Sequence, residues 1–247
     1  MNLSKKLFGS KKNQPLKTVS VNEKNEPKEV NLSQGKIEPV VNQKSEPLKT
    51  VSNIEKNETG TFTDIRNGKT YKTIKIGNQT WMAENLDVDT FRNGDPIPNI
   101  KTNEAWFNSG INSQPACCNY DNDLENRRKY GKLYNWYAVI DPRGLAPKGY
   151  RLPSKNDFDE LLLNFGGEGN KAFHALVEDN NIGFYALFGG WCNEGGYFEC
   201  IELGGRYWSS SEEGIGSYRM VVGRTFKDIK LNNTQRQMGF SVRCLQE

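Results

Sequence analysis

The stretch Gly77-Asn78-Gln79-Thr80-Trp81-Met82-Ala83-Glu84-Asn85-Leu86 decides the reading of this chain. Just before it, Tyr71-Lys72-Thr73-Ile74-Lys75-Ile76 alternates in polarity, and Gly77-Asn78 turns the chain into Gln79-Thr80-Trp81-Met82 as a further strand. Upstream, Thr61-Phe62-Thr63-Asp64 followed by Asn67-Gly68 gives another strand and hairpin turn. Downstream, residues 87–128 read as one long irregular segment, which is either functional or pinned by its own packing. Tyr130, Leu133, Tyr134, Trp136, Tyr137 and Ile140 have helical spacing, with Pro142 and Gly144 as the stop. Ser154 and Asp157 make a capping box for a second helix carrying Phe158, Leu161 and Leu162, and residues 170–179 suggest a shorter third. From Gly183 onward, short aromatic runs between glycines predict strands and turns to the C-terminus.

Composition divides the 247 residues in two. Residues 1–60 hold 11 Lys, no Arg and 7 Glu, a formal charge of +4, and Phe8 is their only aromatic residue. Such a segment buries too little apolar area to offset its chain entropy, so it is expected to be a flexible or extended basic arm. Residues 61–247 hold every Trp, Tyr and Cys and are close to charge balance, the expectation for one globular domain. The basic character therefore belongs to the arm and argues against a nucleic-acid surface. No stretch approaches the roughly 18 apolar residues of a bilayer span. Lys5-Lys6 is followed only by Leu7 and Phe8 before polar residues resume, so no cleaved leader is legible. Within the arm, Pro15-Leu16-Lys17-Thr18-Val19-Ser20 recurs as Pro47-Leu48-Lys49-Thr50-Val51-Ser52. Two such copies cannot stack into a solenoid core. They read as a duplicated spacer, or as a bivalent peptide docking on a scaffold or assembly protein.

The opening stretch resembles the GNQxWMAENL signature of the Fibrobacter succinogenes major paralogous domain. Five further blocks follow in that family's order: Tyr130–Trp136, Pro147–Ser154, Gly183–Gly190, Tyr207–Ser211 and Phe240–Cys244. The resemblance implies an α+β fold similar to C-type lectins and formylglycine-generating enzymes, with two main helices on twisted antiparallel strands and long ligand-facing loops. It further implies exported, surface or phage-displayed proteins, whereas the missing leader points to the cytoplasm or to a leaderless route to a surface or particle. Ala146 stands where the family has a cysteine. If that cysteine pairs with the one in the closing block, Cys244 has lost its partner. Arg151 replaces the family's histidine, which leaves His174 as the single histidine.

One histidine and no G-x-S-x-G, P-loop or C-x-x-C motif argue against most enzymes and against a zinc site. A copper oxidase of the formylglycine-generating type would need Cys192 and Cys200, whose surroundings do not match that pattern. The same two cysteines suit opposite strands of a hairpin tipped by Gly195-Gly196-Tyr197, and so a disulfide in an oxidising compartment. Calcium is at most a weak prospect: Asp121, Asn122, Asp123 and Glu125 cluster oxygens but lack the glycine and distal glutamate of a calcium loop. Trp81, Trp136 and Trp208 read as core. Trp106 in the long polar segment and Tyr197 at the hairpin tip read as exposed aromatics. With Asn193, Glu194, Glu199, Glu202 and Arg206 they make the 183–220 loops the expected face for a glycan or protein ligand. The rival expectation is a structural or decoration component of an assembly, with no free ligand.

Overall fold

A computed structural model describes residues 58–247; the arm, its PLKTVS repeat and its docking role lie outside the described residues. The chain opens with β1 (Thr59–Thr63), β2 (Thr70–Ile76) and β3 (Gln79–Met82), an antiparallel meander in the order the sequence predicts. Gly77 turns β2 into β3 at φ 58°, a left-handed conformation that suits glycine. Trp81 then enters one apolar cluster beside Phe158 and Phe184, while the next residue, Met82, enters the other. Period-two geometry makes this strand a partition between two cores.

The segment expected to be irregular holds α1 (Asn103–Ile111), β4 (Cys117–Cys118) and α2 (Leu124–Tyr130). It is pinned by burial of Phe91, Ile97, Trp106, Ala116, Cys117, Cys118 and Tyr120. The expected helix through 130–140 is a correction. Gly131 breaks it at φ 73°, where a Cβ would lie 2.8 Å from the Leu86 carbonyl oxygen. Leu133 and Tyr134 become β5, paired with β4, and only Trp136–Val139 is helical (α3), capped by the buried Asn135 side chain. Leu133, Tyr134 and Trp136 are all buried, so their apolar spacing records enclosure on every side and not one helical stripe.

β6 (Tyr150–Arg151) leads into α4 (Lys155–Leu163), which begins with the expected capping box. Arg151 adds a two-pronged ion pair to Asp157, at 2.6 and 2.7 Å. Burial pushes the Asp157 carboxyl up, but the bonds from Arg151 and Ser154 outweigh it and hold the group at about 2. α5 (Asn170–Phe173) runs on into a π-turn over His174–Glu178, so the third helical region is present. Then come β7 (Gly189–Cys192), β8 (Phe198–Ile201), β9 (Gly204–Glu213), β10 (Gly216–Gly223), β11 (Asp228–Gln235) and β12 (Leu245–Gln246). The protein is thus a mixed α+β domain dominated by two five-stranded sheets, β1-β2-β3-β12-β6 and β11-β10-β9-β7-β8.

The sequence blocks meet along one interior seam. Met82 donates its amide to the Cys244 carbonyl, and Leu86 to that of Val242. Tyr134 and Phe240 exchange both backbone bonds. Trp208 donates its amide to Ser241 and its indole to the Tyr134 carbonyl, while the Trp136 indole reaches Ser209. Asn85 holds the centre: its amide group donates to the Tyr130 carbonyl and the Ser241 hydroxyl, and its oxygen accepts from Arg243 Nε at 2.8 Å. Arg243 is fully buried, faces the rings of Phe184 and Tyr207, and donates to the carbonyls of Phe184 and Tyr185. Along this seam the Asn85 amide group and the Arg243 guanidinium each find partners, as a stable interior requires.

Candidate functional site

The β7–β8 hairpin carries most of the residues expected to recognise a ligand. Asn193 builds its turn: the side-chain oxygen accepts from the amides of Gly195 and Tyr197, and the nitrogen donates to Glu199 at 2.7 Å. Tyr197 is 63% exposed at the tip. Glu194 borders a shallow groove with Phe107, Ile111 and Ile215. Glu202 ion-pairs with Lys129 at 3.2 Å. Arg206 lies flat on Trp191, its guanidinium carbon 4.1 Å from the ring centroid. These side chains are spread: Asn193 and Glu199 organise the turn, Glu194 and Glu202 border two different grooves, and Arg206 lies near enough to Glu199 to feel its charge.

Two expectations are corrected here. Trp106 is not an exposed loop aromatic. It sits on α1, 2% exposed, with its indole donating to the Gln237 carbonyl, and Gly239 closely abuts its ring. Nor do Cys192 and Cys200 face one another. The turn occupies residues 193–197, so Cys192 pairs with Phe198, and Cys200 falls two residues beyond. Cys192 is buried, Cys200 is exposed at φ 57°, and both are free thiols. The thiol that Cys192 does contact is Cys118, in the small cluster under the hairpin.

Elsewhere on the domain, a cleft of about 950 Å³ is walled by β1, β2, residues 83–85, the C-terminal end of α2 and the 180–187 segment. Lys69, Lys72, Arg128 and Lys129 border it, against one carboxylate, Glu84, which accepts the Lys72 backbone amide at 2.7 Å. Lys69 pairs with Asp87 at 3.4 Å and Arg128 with Glu125, whereas the Lys72 ammonium has no ion pair among the described residues. Behind the wall at Asn85 stands the buried Arg243, whose charge burial disfavours and no carboxylate touches. Gly183, Tyr185 and Leu187 form one side, so the expected 183–220 region contributes a single wall. The lysines went unseen in the sequence because five distant segments assemble the cleft, and no spacing signals that.

The remaining polar groups are engaged locally. Asp123 caps α2 by accepting the Glu125 amide at 2.7 Å, and Asn122 donates to the Lys101 carbonyl. His174 pairs with Glu178 one turn on. Among the described residues no group of three or more His, Cys, Asp or Glu side chains could hold a metal ion, and no helix is long and apolar enough to cross a membrane.

Compared with known protein families, residues 74–246 match the family described as the Fibrobacter succinogenes major domain. The chain belongs to this family. The match runs from β2 to β12 and so takes in the whole interior seam. No curated protein and no solved structure matches the chain significantly. Within this Fibrobacter succinogenes major domain, the signature residues Trp81, Asn85, Tyr134, Trp136, Trp208 and Arg243 hold the interior together. The cationic border of the cleft comes instead from positions outside the blocks: Lys69 and Lys72 precede the first block, and Arg128 and Lys129 stand just before the second.

Proposed function

We propose that the domain is a non-enzymatic recognition module that takes a negatively charged surface ligand, glycan or protein, into the cleft between β2 and the 180–187 segment. The observation that carries this reading is the cleft's charge: of the four cations that border a volume of small-ligand size, Lys69, Arg128 and Lys129 pair with carboxylates outside its lining, Lys72 has no ion pair among the described residues, and the one lining carboxylate is engaged by backbone. Cations gathered around a concave, partly dehydrated space attract anions more strongly than the same charges spread over a convex surface. Tyr185, 42% exposed on the cleft wall, offers a ring to pack on a ligand.

The same reading has the domain displayed at a surface or on a particle, tethered to a scaffold through residues 1–60. A C-type-lectin-like architecture is part of the proposal, and α4 packed against β9, β10 and β11 is consistent with it. The oxidase alternative needs Cys192 and Cys200 on one metal ion, and those residues differ in register and in exposure. The structural-component alternative draws support from bare apolar side chains: Ile215 is 98% exposed, near half-exposed Phe107 and Ile111 on one groove.

The test is a binding screen of the full chain against acidic and neutral glycans and peptides, repeated with Lys72→Glu and Tyr185→Ala. Capture of acidic members, lost at least tenfold in Lys72→Glu, is the expected outcome. A screen without a ligand, or binding indifferent to both substitutions, would overturn the cleft as the site.

A further inference from the structure

Two arginines of the second sheet, Arg206 and Arg219, form no ion pair among the described residues. Arg206 on β9 stands opposite Val221 on β10, and Arg219 lies two residues before Val221. Side chains two apart on a strand share a face, so the two guanidinium groups are diagonal neighbours on one side of the sheet. Each rests on an aromatic ring: Arg206 on Trp191 at 4.1 Å, Arg219 over Phe240 at 5.0 Å. Arg206 donates from Nη1 to the Gly205 carbonyl, and Arg219 from Nε to the Asn232 side-chain oxygen, both at 2.9 Å. Those are the hydrogen bonds these two side chains make among the described residues. The Arg206 Nε atom is buried with no partner at all.

The other charged groups of this face are already matched. Glu199, opposite Trp191, accepts from Asn193 at 2.7 Å. Lys230, opposite Val221, pairs with Asp228 at 2.7 Å. Neither acid forms an ion pair with the arginines among the described residues, although Glu199 stands close enough to Arg206 to favour its charge in part. Two half-buried like charges therefore face each other with most of their donors open, an arrangement that costs stability when nothing meets it. Burial, and then the neighbouring Arg206, push Arg219 down to about 10, and burial lowers Arg206 as well.

We propose that Arg206 and Arg219 form an anion-binding site, taking a multi-oxygen group, carboxylate or sulfate, between their two guanidinium forks. An anion there would accept from the unengaged Nη donors of the two forks and offset the repulsion between them. Arginine suits this role because its planar fork matches two oxygens of one anion, which a lysine ammonium does not. Neither arginine lines the cleft, so the site is independent of the cleft reading.

The test uses the full chain in low-salt buffer, with inorganic sulfate and sodium glucuronate as probes and sodium chloride at matched ionic strength as reference. Titration calorimetry and thermal melting are the readouts. The expected result is saturable binding of at least one probe, with a Tm rise beyond that in chloride. Binding should weaken at least tenfold in Arg206→Gln and in Arg219→Gln, and return only in part in Arg219→Lys. Saturation by sulfate alone identifies a sulfated ligand, and by glucuronate alone a carboxylate. Lys72→Glu, which disables the cleft, should leave unchanged the part of the binding that Arg206→Gln and Arg219→Gln remove. Absence of saturable binding by the unaltered chain overturns the proposal, whether or not the variants fold. So does binding that survives both glutamine substitutions, or loss of the arginine-dependent binding in Lys72→Glu.

Discussion

The seam and the β7–β8 hairpin are built on opposite terms. Along the seam, Asn85, Tyr134, Trp208 and Arg243 are buried and each polar atom that enters has a partner from a distant block. On the hairpin, Asn193 serves only its own turn, Tyr197 stands out in water, and Arg206 next door keeps a buried donor unmet. The difference separates residues that make the fold from residues free to meet a ligand. It also explains why a family can be legible in sequence while its activity is not: the signature is written in the first kind of residue.

That contrast can be broken in order of expected effect. Asn85→Ala should cost most, about 3 kcal/mol, because it takes the Asn85 partner from the buried Arg243 Nε, the Tyr130 carbonyl and the Ser241 hydroxyl at once. Urea unfolding measures it, and a loss below about 1 kcal/mol would mean the seam is not the centre of stability. Gly131→Ala comes next at about 2 kcal/mol, since it combines a left-handed backbone with a close approach to the Leu86 carbonyl. A melting temperature unchanged by this substitution would show that the Leu86 segment yields easily.

Asp157→Asn should cost about 1 kcal/mol through the helix cap. The Asp157 carboxyl lies at about 2 when folded, below its ordinary 3.8, so its stabilisation is complete above about pH 5 and fades as pH falls toward 2. Melts across that window should fall more steeply for the unaltered chain than for Asp157→Asn; parallel curves would remove the carboxylate from the account. Tyr197→Ala, at the bare tip, should change stability by less than about 0.5 kcal/mol. A larger loss would mean that the tip is packed and not free.

How much of this was legible in the sequence follows the same division. The β1–β3 meander was readable because Asn67-Gly68 and Gly77-Asn78 are local turn signals acting on adjacent strands. The α4 start was readable because Ser154 and Asp157 act within one helical turn. The helix expected through Gly131 failed because enclosure from all sides imitates helical periodicity in residues 130–140. Trp106 failed because a polar neighbourhood in sequence hid a pocket formed by Gln237 and Gly239, more than a hundred residues away. The Cys192–Cys200 pairing failed by a register error of two residues, which a turn of different length would have reversed. Arg206 was singled out in the sequence as a candidate, while Arg219, its neighbour across the sheet, lay beyond any local pattern.

Native-state hydrogen exchange tests most directly the claim that the family blocks form one interior unit. The amides of Met82, Leu86, Tyr134 and Trp208 all bond to residues of the last block, 240–244. The account predicts that these four exchange only through global unfolding, with one common free energy, while Gly195 and Tyr197 exchange through local opening far below it. Separate, unequal opening energies for the four seam amides would contradict it.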